Sequence, residues 1–159
     1  PRVTAAHRTA FAENHEYFPP TPAETALIAG NLIAVSDPRL VKLVLKGEEV
    51  VGFVLAYHDV SPALQRSRGR LWPLGWYYIL QERRRACWAN VNGIGVLPSL
   101  QGLGVSVLLY TELAKSLQSV GFKHAEVIQV NEVNLKSKLD METIGVRWYK
   151  RHRCYRRSL

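Results

Sequence analysis

The run Gln101, Gly102, Leu103, Gly104, Val105, Ser106 carries the clearest chemistry in this sequence. It follows a strand-like stretch that ends at Pro98, and it opens a helical pattern. Two glycines without Cβ atoms let the backbone come close to a ligand. The helix start aims unpaired N–H groups and the positive dipole end at whatever lies in front of it, which suits a pyrophosphate. No Lys-Ser/Thr pair follows the second glycine, so a Walker phosphate loop is not expected. No G-x-G-x-x-G occurs either, which argues against a dinucleotide fold.

Those residues need elements to hold them. Cys87 to Leu97 reads as the strand that enters the loop. Val105, Leu109, Leu113 and Leu117 recur at i+4 with Leu108 and Val120 beside them, and Gly121 sits where a C-cap glycine belongs. Before the strand, Leu40–Lys46 and Glu49–His58 alternate in strand fashion around Gly47-Glu48 and predict a hairpin. Gly52 within it points to a bulge or a close approach.

At the front, Thr4–Tyr17 reads as a helix broken by Phe18, Pro19 and Pro20. Thr21-Pro22-Ala23-Glu24 is a capping-box start for a second helix running to about Val35. Ser61-Pro62 starts a helical turn, and Trp76–Arg85 reads as helical. Trp72, Trp76, Tyr77 and Tyr78 form either a buried lid or a wall beside a substrate. After the glycine stop, His124–Val130 is expected as a strand and Asn131–Ile144 to carry a shorter helix closed by Gly145. Val146–Tyr155 is expected as one or two final strands. A strand-helix-strand order after an antiparallel hairpin implies an α/β (α+β) fold with a mixed, mostly antiparallel sheet and helices on both faces.

Val96, Pro98, Gln101 and Gly104, with the long helix behind them, resemble the acyl-CoA-binding motif of the GNAT superfamily of N-acetyltransferases. That motif reads Gln/Arg-x-x-Gly-x-Gly/Ala after Val-x-Pro, and Ser106 stands at its last position. The Gly47–Phe53 phrase is similar to the family's early hairpin. The resemblance covers about residues 38–157, with residues 1–36 as added helices, and it implies a single acyltransferase domain.

The resemblance implies acetyl-CoA as co-substrate, no metal, and direct attack by a primary amine on the thioester. It assigns the thioester end to Ile94, Gly95 and Val96. It also makes Gln101, Gly102, Leu103, Gly104, Val105, Ser106 and Val107 cofactor-binding, with the pyrophosphate on the amides from Gly102 to Val107. Asn134, in Asn-x-x-Ser, matches an asparagine that contacts the cofactor arm, and it can cap its helix as well. The family's acid is often a tyrosine four residues before the helix-ending glycine; here that position is Met141, which has no proton to donate. Tyr149 and Tyr155 are the candidate acids, and Glu132 is the candidate base.

With 159 residues, 47% of them hydrophobic, one globular domain with a real core is expected. No apolar run reaches a membrane span. No signal peptide is read, and the start at Pro1 reads as that of a trimmed or processed chain. Cys87 and Cys154 lack metal-ligand spacing and suit a reducing cytoplasm, with a long-range disulfide as the alternative. The net charge of +8 fits an anionic cofactor. The arginine clusters at residues 66–70 and 83–85 and in the last ten residues read first as solvated faces. Expected partners are therefore a small-molecule or peptide amine, with no membrane and no nucleic acid, since no nucleic-acid signature occurs. A homodimer is left open. A CoA-binding or interaction domain without chemistry is the alternative function.

Overall fold

The computed structural model describes residues 2–12, 20–21, 23–25, 27, 37–128, 130–153, 155 and 157. The chain divides into a first unit, Pro1–Gln129, and a second, Val130–Leu159.

The first unit is built on a four-stranded sheet in the order β1-β2-β3-β4, from Val41–Lys46, Glu49–His58, Trp88–Val96 and His124–Val127. The first two pairings are antiparallel and the last is parallel. The expected hairpin is present, turning at Gly47 with φ 63°. Gly52 satisfies both readings made for it. The β1–β2 register slips beside it, with Val44 opposite Gly52 and Leu45 opposite Val50, so Val51 is the extra residue of a bulge. A Cβ on Gly52 would also lie 3.0 Å from Val105 Cγ1.

Helices cover both faces. Helix α1, Arg2–Phe11, packs with Ala6, Ala10 and Phe11 on Val50 and Phe53. The long helix α4, Val105–Val120, lies on the face that Gly52 shares, where Leu109 and Leu113 join Leu40, Val54, Ala56, Val91 and Val96 in the main core. Adjacent strand residues point to opposite faces, so Gly52 and Phe53 sort the two helices. Each fully buried leucine here stabilises by about 1.5–3 kcal/mol.

Between β2 and β3 stand α2, Ser61–Arg66, and α3, Gly75–Arg85. They pack on one another, with Arg66 paired to Glu82 and 5.9 Å above the Tyr78 ring. In the second unit α5, Leu135–Thr143, is capped by Asn134 and followed by Gly145 at φ 80°.

Several boundaries differ from expectation. The first helix ends at Phe11, and residues 13–19 lie outside the described residues. The capping box is formed: Thr21 N–H donates to Glu24 Oε2 at 2.8 Å, and Glu24 N–H donates to Thr21 Oγ1 at 3.3 Å. Residues 23–25 and 27 are helical, and the rest of that helix to Val35 lies outside the described residues. Leu40 belongs to a 3-10 turn, Pro38–Leu40, because Asp37 caps it and Pro38 presets its φ. β4 stops at Val127 because its partner strand bulges away. The final strands over Val146–Tyr155 do not form: the described residues there have no ladder partner, and Trp148, Tyr149 and the cationic residues after them are exposed. Cys87 is a free, exposed thiol, and Cys154 lies outside the described residues.

His58, at the end of β2, stands edge-on to Phe122 at 4.9 Å, and its buried Nδ1 has no hydrogen-bond partner among the described residues. Burial, then Arg83 and Arg39, hold its pKa below the ordinary 6.5, against the pull of Asp37. The unfolded chain therefore binds the proton more readily. Stability should fall as pH drops from 6.5 through the folded-state value. Asp37, held down to about 2 by its bonds to Arg39, titrates far lower and cannot account for such a loss. Denaturant unfolding across this range should give a flatter profile for His58→Asn than for the parent. Equal slopes would count against this assignment.

Candidate active site

The loop folds as its residue types require. β3 ends at Val96, a 3-10 turn spans Pro98–Leu100, and Gln101 Nε2 donates to Val96 O at 3.3 Å, tying the loop to the strand. Gly102 and Gly104 have φ of 78° and 83°, the left-handed region that glycine enters without strain. Gly104 is the N-cap of α4 and no side chain caps that end. The first intrahelical bond is Leu108 N–H to Gly104 O, at 3.0 Å. The amides of Val105, Ser106 and Val107 therefore have no intrahelical acceptor and point out with the helix dipole. A Cβ on Gly102 or Gly104 would meet nothing beyond its chain neighbours within 4 Å among the described residues. A helix start of this kind suits an anion.

A second feature adjoins it. The parallel β3–β4 ladder runs from Trp88↔His124 to Val91↔Val127 and ends there, with a last bond from Ile128 N–H to Val91 O. β3 continues along β2 to Val96↔Gly52. Between these stretches Leu55 faces both Asn92 and Gly93, a bulge in which Gly93 takes φ 84°. The bulge bends β3 off the line of β4. Leu97 N–H bonds to Val51 O on β2, so by alternation the groups of Gly95 also face β2. Those of Ile94 and Val96 face the side that β4 has left. Val96 O accepts from Gln101 Nε2, and among the described residues no ladder pairs the Val96 N–H or the two Ile94 groups on that side. An extended polar chain can pair with such an edge, and the edge leads directly to the anion cradle.

Gly95 is glycine for a packing reason. A Cβ there would lie 2.5 Å from Phe53 Cε1 and 3.1 Å from Ala10 Cβ. Phe53 in turn carries His7 of α1, stacked at 5.8 Å and 28°, with Phe11 at 4.7 Å on His7. His7 thus stands on the α1 face of the sheet behind Phe53, half-buried, and burial lowers its pKa. The sequence reading missed His7, because nothing local marks it and its partner lies on a distant strand.

The other candidates fall in the second unit. Asn134 Oδ1 accepts from Ser137 N–H at 3.1 Å, an N-cap. Glu132 is exposed, 3.8 Å from Arg151. Tyr149 is exposed with Lys150 Nζ 4.9 Å from its ring centre, and Tyr155 is exposed. Met141 is buried in α5. The aromatic group at residues 72–78 is not a buried lid. Trp72 is 81% exposed, and α2–α3 joins the sheet at the start of β3, a strand length of about 30 Å from the loop.

No family model matches the chain. It is 28% identical over 163 residues to a bacterial ceramide synthase from Caulobacter vibrioides, covering 99% of this chain but only 42% of that protein. Among solved structures it superposes on the aminoglycoside N-acetyltransferase AAC(6')-Iy in complex with CoA, at TM-score 0.62 and 17% identity, covering 99% and 88% of the two chains. It also superposes on a GNAT family acetyltransferase from Brucella melitensis in complex with acetyl-CoA, at TM-score 0.58 and 14% identity, covering 93% and 76%. The likeness spans nearly the whole chain and establishes a common fold.

Proposed function

We propose that this chain, whose fold is that of the GNAT acetyltransferases, moves an acyl group from a CoA thioester to a primary amine by direct attack. The observation that carries the reading is the continuity of the open Ile94–Val96 edge with the anion cradle at Gly102–Val107. A pantetheine arm with a pyrophosphate at its end has that shape and that order of polar groups. When bound, acyl-CoA supplies the activated carbonyl. The backbone groups of Ile94 hold the arm, and the Val96 N–H meets the carbonyl oxygen as negative charge develops there. Neutral His7 accepts the amine proton, because an ammonium has no lone pair for attack. Glu132, engaged with Arg151, is the weaker base candidate. Met141 offers no proton, and a thiol with pKa near 8.5 can leave and be protonated by water. Tyr149 and Tyr155 remain candidate acids: a rate loss of about 10²-fold in one Phe variant would assign that role.

The acceptor and the acyl chain divide the relatives. The solved neighbours are acetyltransferases, whereas the Caulobacter relative makes ceramide, a long-chain amide. A thiol-release assay should therefore pair acetyl- and palmitoyl-CoA with an aminoglycoside, a peptide amine and sphinganine. Release that depends on one amine, with the amide found by mass spectrometry, supports the proposal. CoA binding without any amide product would favour a domain that binds and does not transfer.

Asn134 separates its two roles cleanly. Asn134→Ser keeps a capping oxygen, so stability should hold within a few tenths of the roughly 1 kcal/mol that a lost cap costs. The KM for acyl-CoA should rise, since the amide that would contact the arm is gone. An unchanged KM would leave Asn134 as a cap alone.

A further inference from the structure

We propose that the α2–α3 hairpin docks this protein on the surface of an anionic bilayer. Its outer side is apolar where a soluble helix should be polar. Leu71 is 60% exposed, Trp72 81%, Leu74 54%, Trp76 50%, Tyr77 49% and Leu80 50%. On α3, Tyr78 and Glu82 turn inward to Arg66 of α2, so Trp76, Leu80 and Arg84, spaced at i+4, form the outward stripe. The stripe is apolar at the tip of the hairpin and cationic at its base.

Charge selects the occupant. Residues 61–85 hold six arginines and a single acid, Glu82. Arg66 is committed to that acid, while Arg68, Arg70, Arg84 and Arg85 are exposed. Leucine and tryptophan at the tip with guanidinium groups behind them match the order of an interface, where acyl chains lie beneath phosphates. A nucleic acid would leave the leucines unused. A second copy of this chain would set arginine against arginine across a two-fold axis. Among the described residues no helix is long and apolar enough to cross a membrane, so the contact is peripheral. Sequence reading weighed only a span and expected no membrane partner. The hairpin joins the sheet at the end of β3 away from the loop, so this proposal does not depend on the acyl-transfer reading.

Flotation of the full chain with vesicles tests it. Vesicles of phosphatidylcholine and phosphatidylglycerol in equal parts should carry the protein, and vesicles of phosphatidylcholine alone should not. The pair Leu71→Ser and Trp72→Ser should weaken binding about tenfold or more, with an unchanged melting profile, because both side chains already face solvent. Arg84→Glu with Arg85→Glu should do likewise and remove most of the salt dependence. Failure to float with anionic vesicles, or equal flotation of both variant pairs, would overturn the proposal. So would a solution dimer that the serine pair disperses, which would assign the patch to a second copy.

Discussion

Gly104→Val is expected to abolish acyl-CoA binding while the protein stays folded. Gly104 caps α4 at φ 83°, where a β-branched residue costs about 1–3 kcal/mol, less than the whole stability of a domain. The larger effect is on the ligand. Beyond its chain neighbours nothing described lies within 4 Å of the added Cβ, so the valine is expected to project from the cap residue of the helix whose first amides are proposed to hold the pyrophosphate. Gly121 provides the control. It has φ 98° at the other end of the same helix, again with nothing near its Cβ. Gly121→Val should therefore carry similar strain and leave CoA affinity intact in a calorimetric titration. Loss of affinity in both variants would show that strain alone is responsible, and unchanged affinity in Gly104→Val would remove the loop from the site.

Replacing His7 should slow turnover by about 10²-fold to 10⁴-fold, the usual contribution of a positioned base. The base works only when neutral. Burial holds His7 below the ordinary 6.5, so the acidic limb of the rate profile should fall below that value and disappear in His7→Gln. The alternative is structural: His7 stacks on Phe53 and Phe11, and losing the stack could shift α1. His7→Phe keeps an aromatic ring in that stack. Full activity in His7→Phe would mean that the ring matters and the base lies elsewhere; activity as low as that of His7→Gln, with normal stability, would support proton transfer.

How much of this was legible in the sequence depended on how local the cause is. The Gly47 turn, the Thr21–Glu24 box, the Asn134 cap and the Gly121 stop each act within a few residues, and each was readable. The loop at Gln101–Ser106 was readable for the same reason. The divergence of β3 from β4 was not, because Asn92-Gly93 reads as ordinary strand until Leu55 is found opposite both residues. His7 was hidden likewise, since its role depends on Phe53 and Gly95 meeting across the sheet. The final strands were overcalled: alternation over Val146–Tyr155 means little when no neighbouring strand offers a ladder. The outward aromatics of α3 left both a buried lid and a wall open, because a sequence does not say which face of a helix the rest of the chain covers.

The central claim is that the cradle and the open edge bind acyl-CoA. Thermal unfolding with increasing acetyl-CoA tests it most directly. A ligand that binds only the folded state stabilises by about 2.7 kcal/mol at a hundredfold excess over its Kd, and the midpoint must climb with concentration. The account predicts that climb in the parent protein and in Gly121→Val, and its absence in Gly104→Val. A midpoint that does not move at millimolar acetyl-CoA would contradict it.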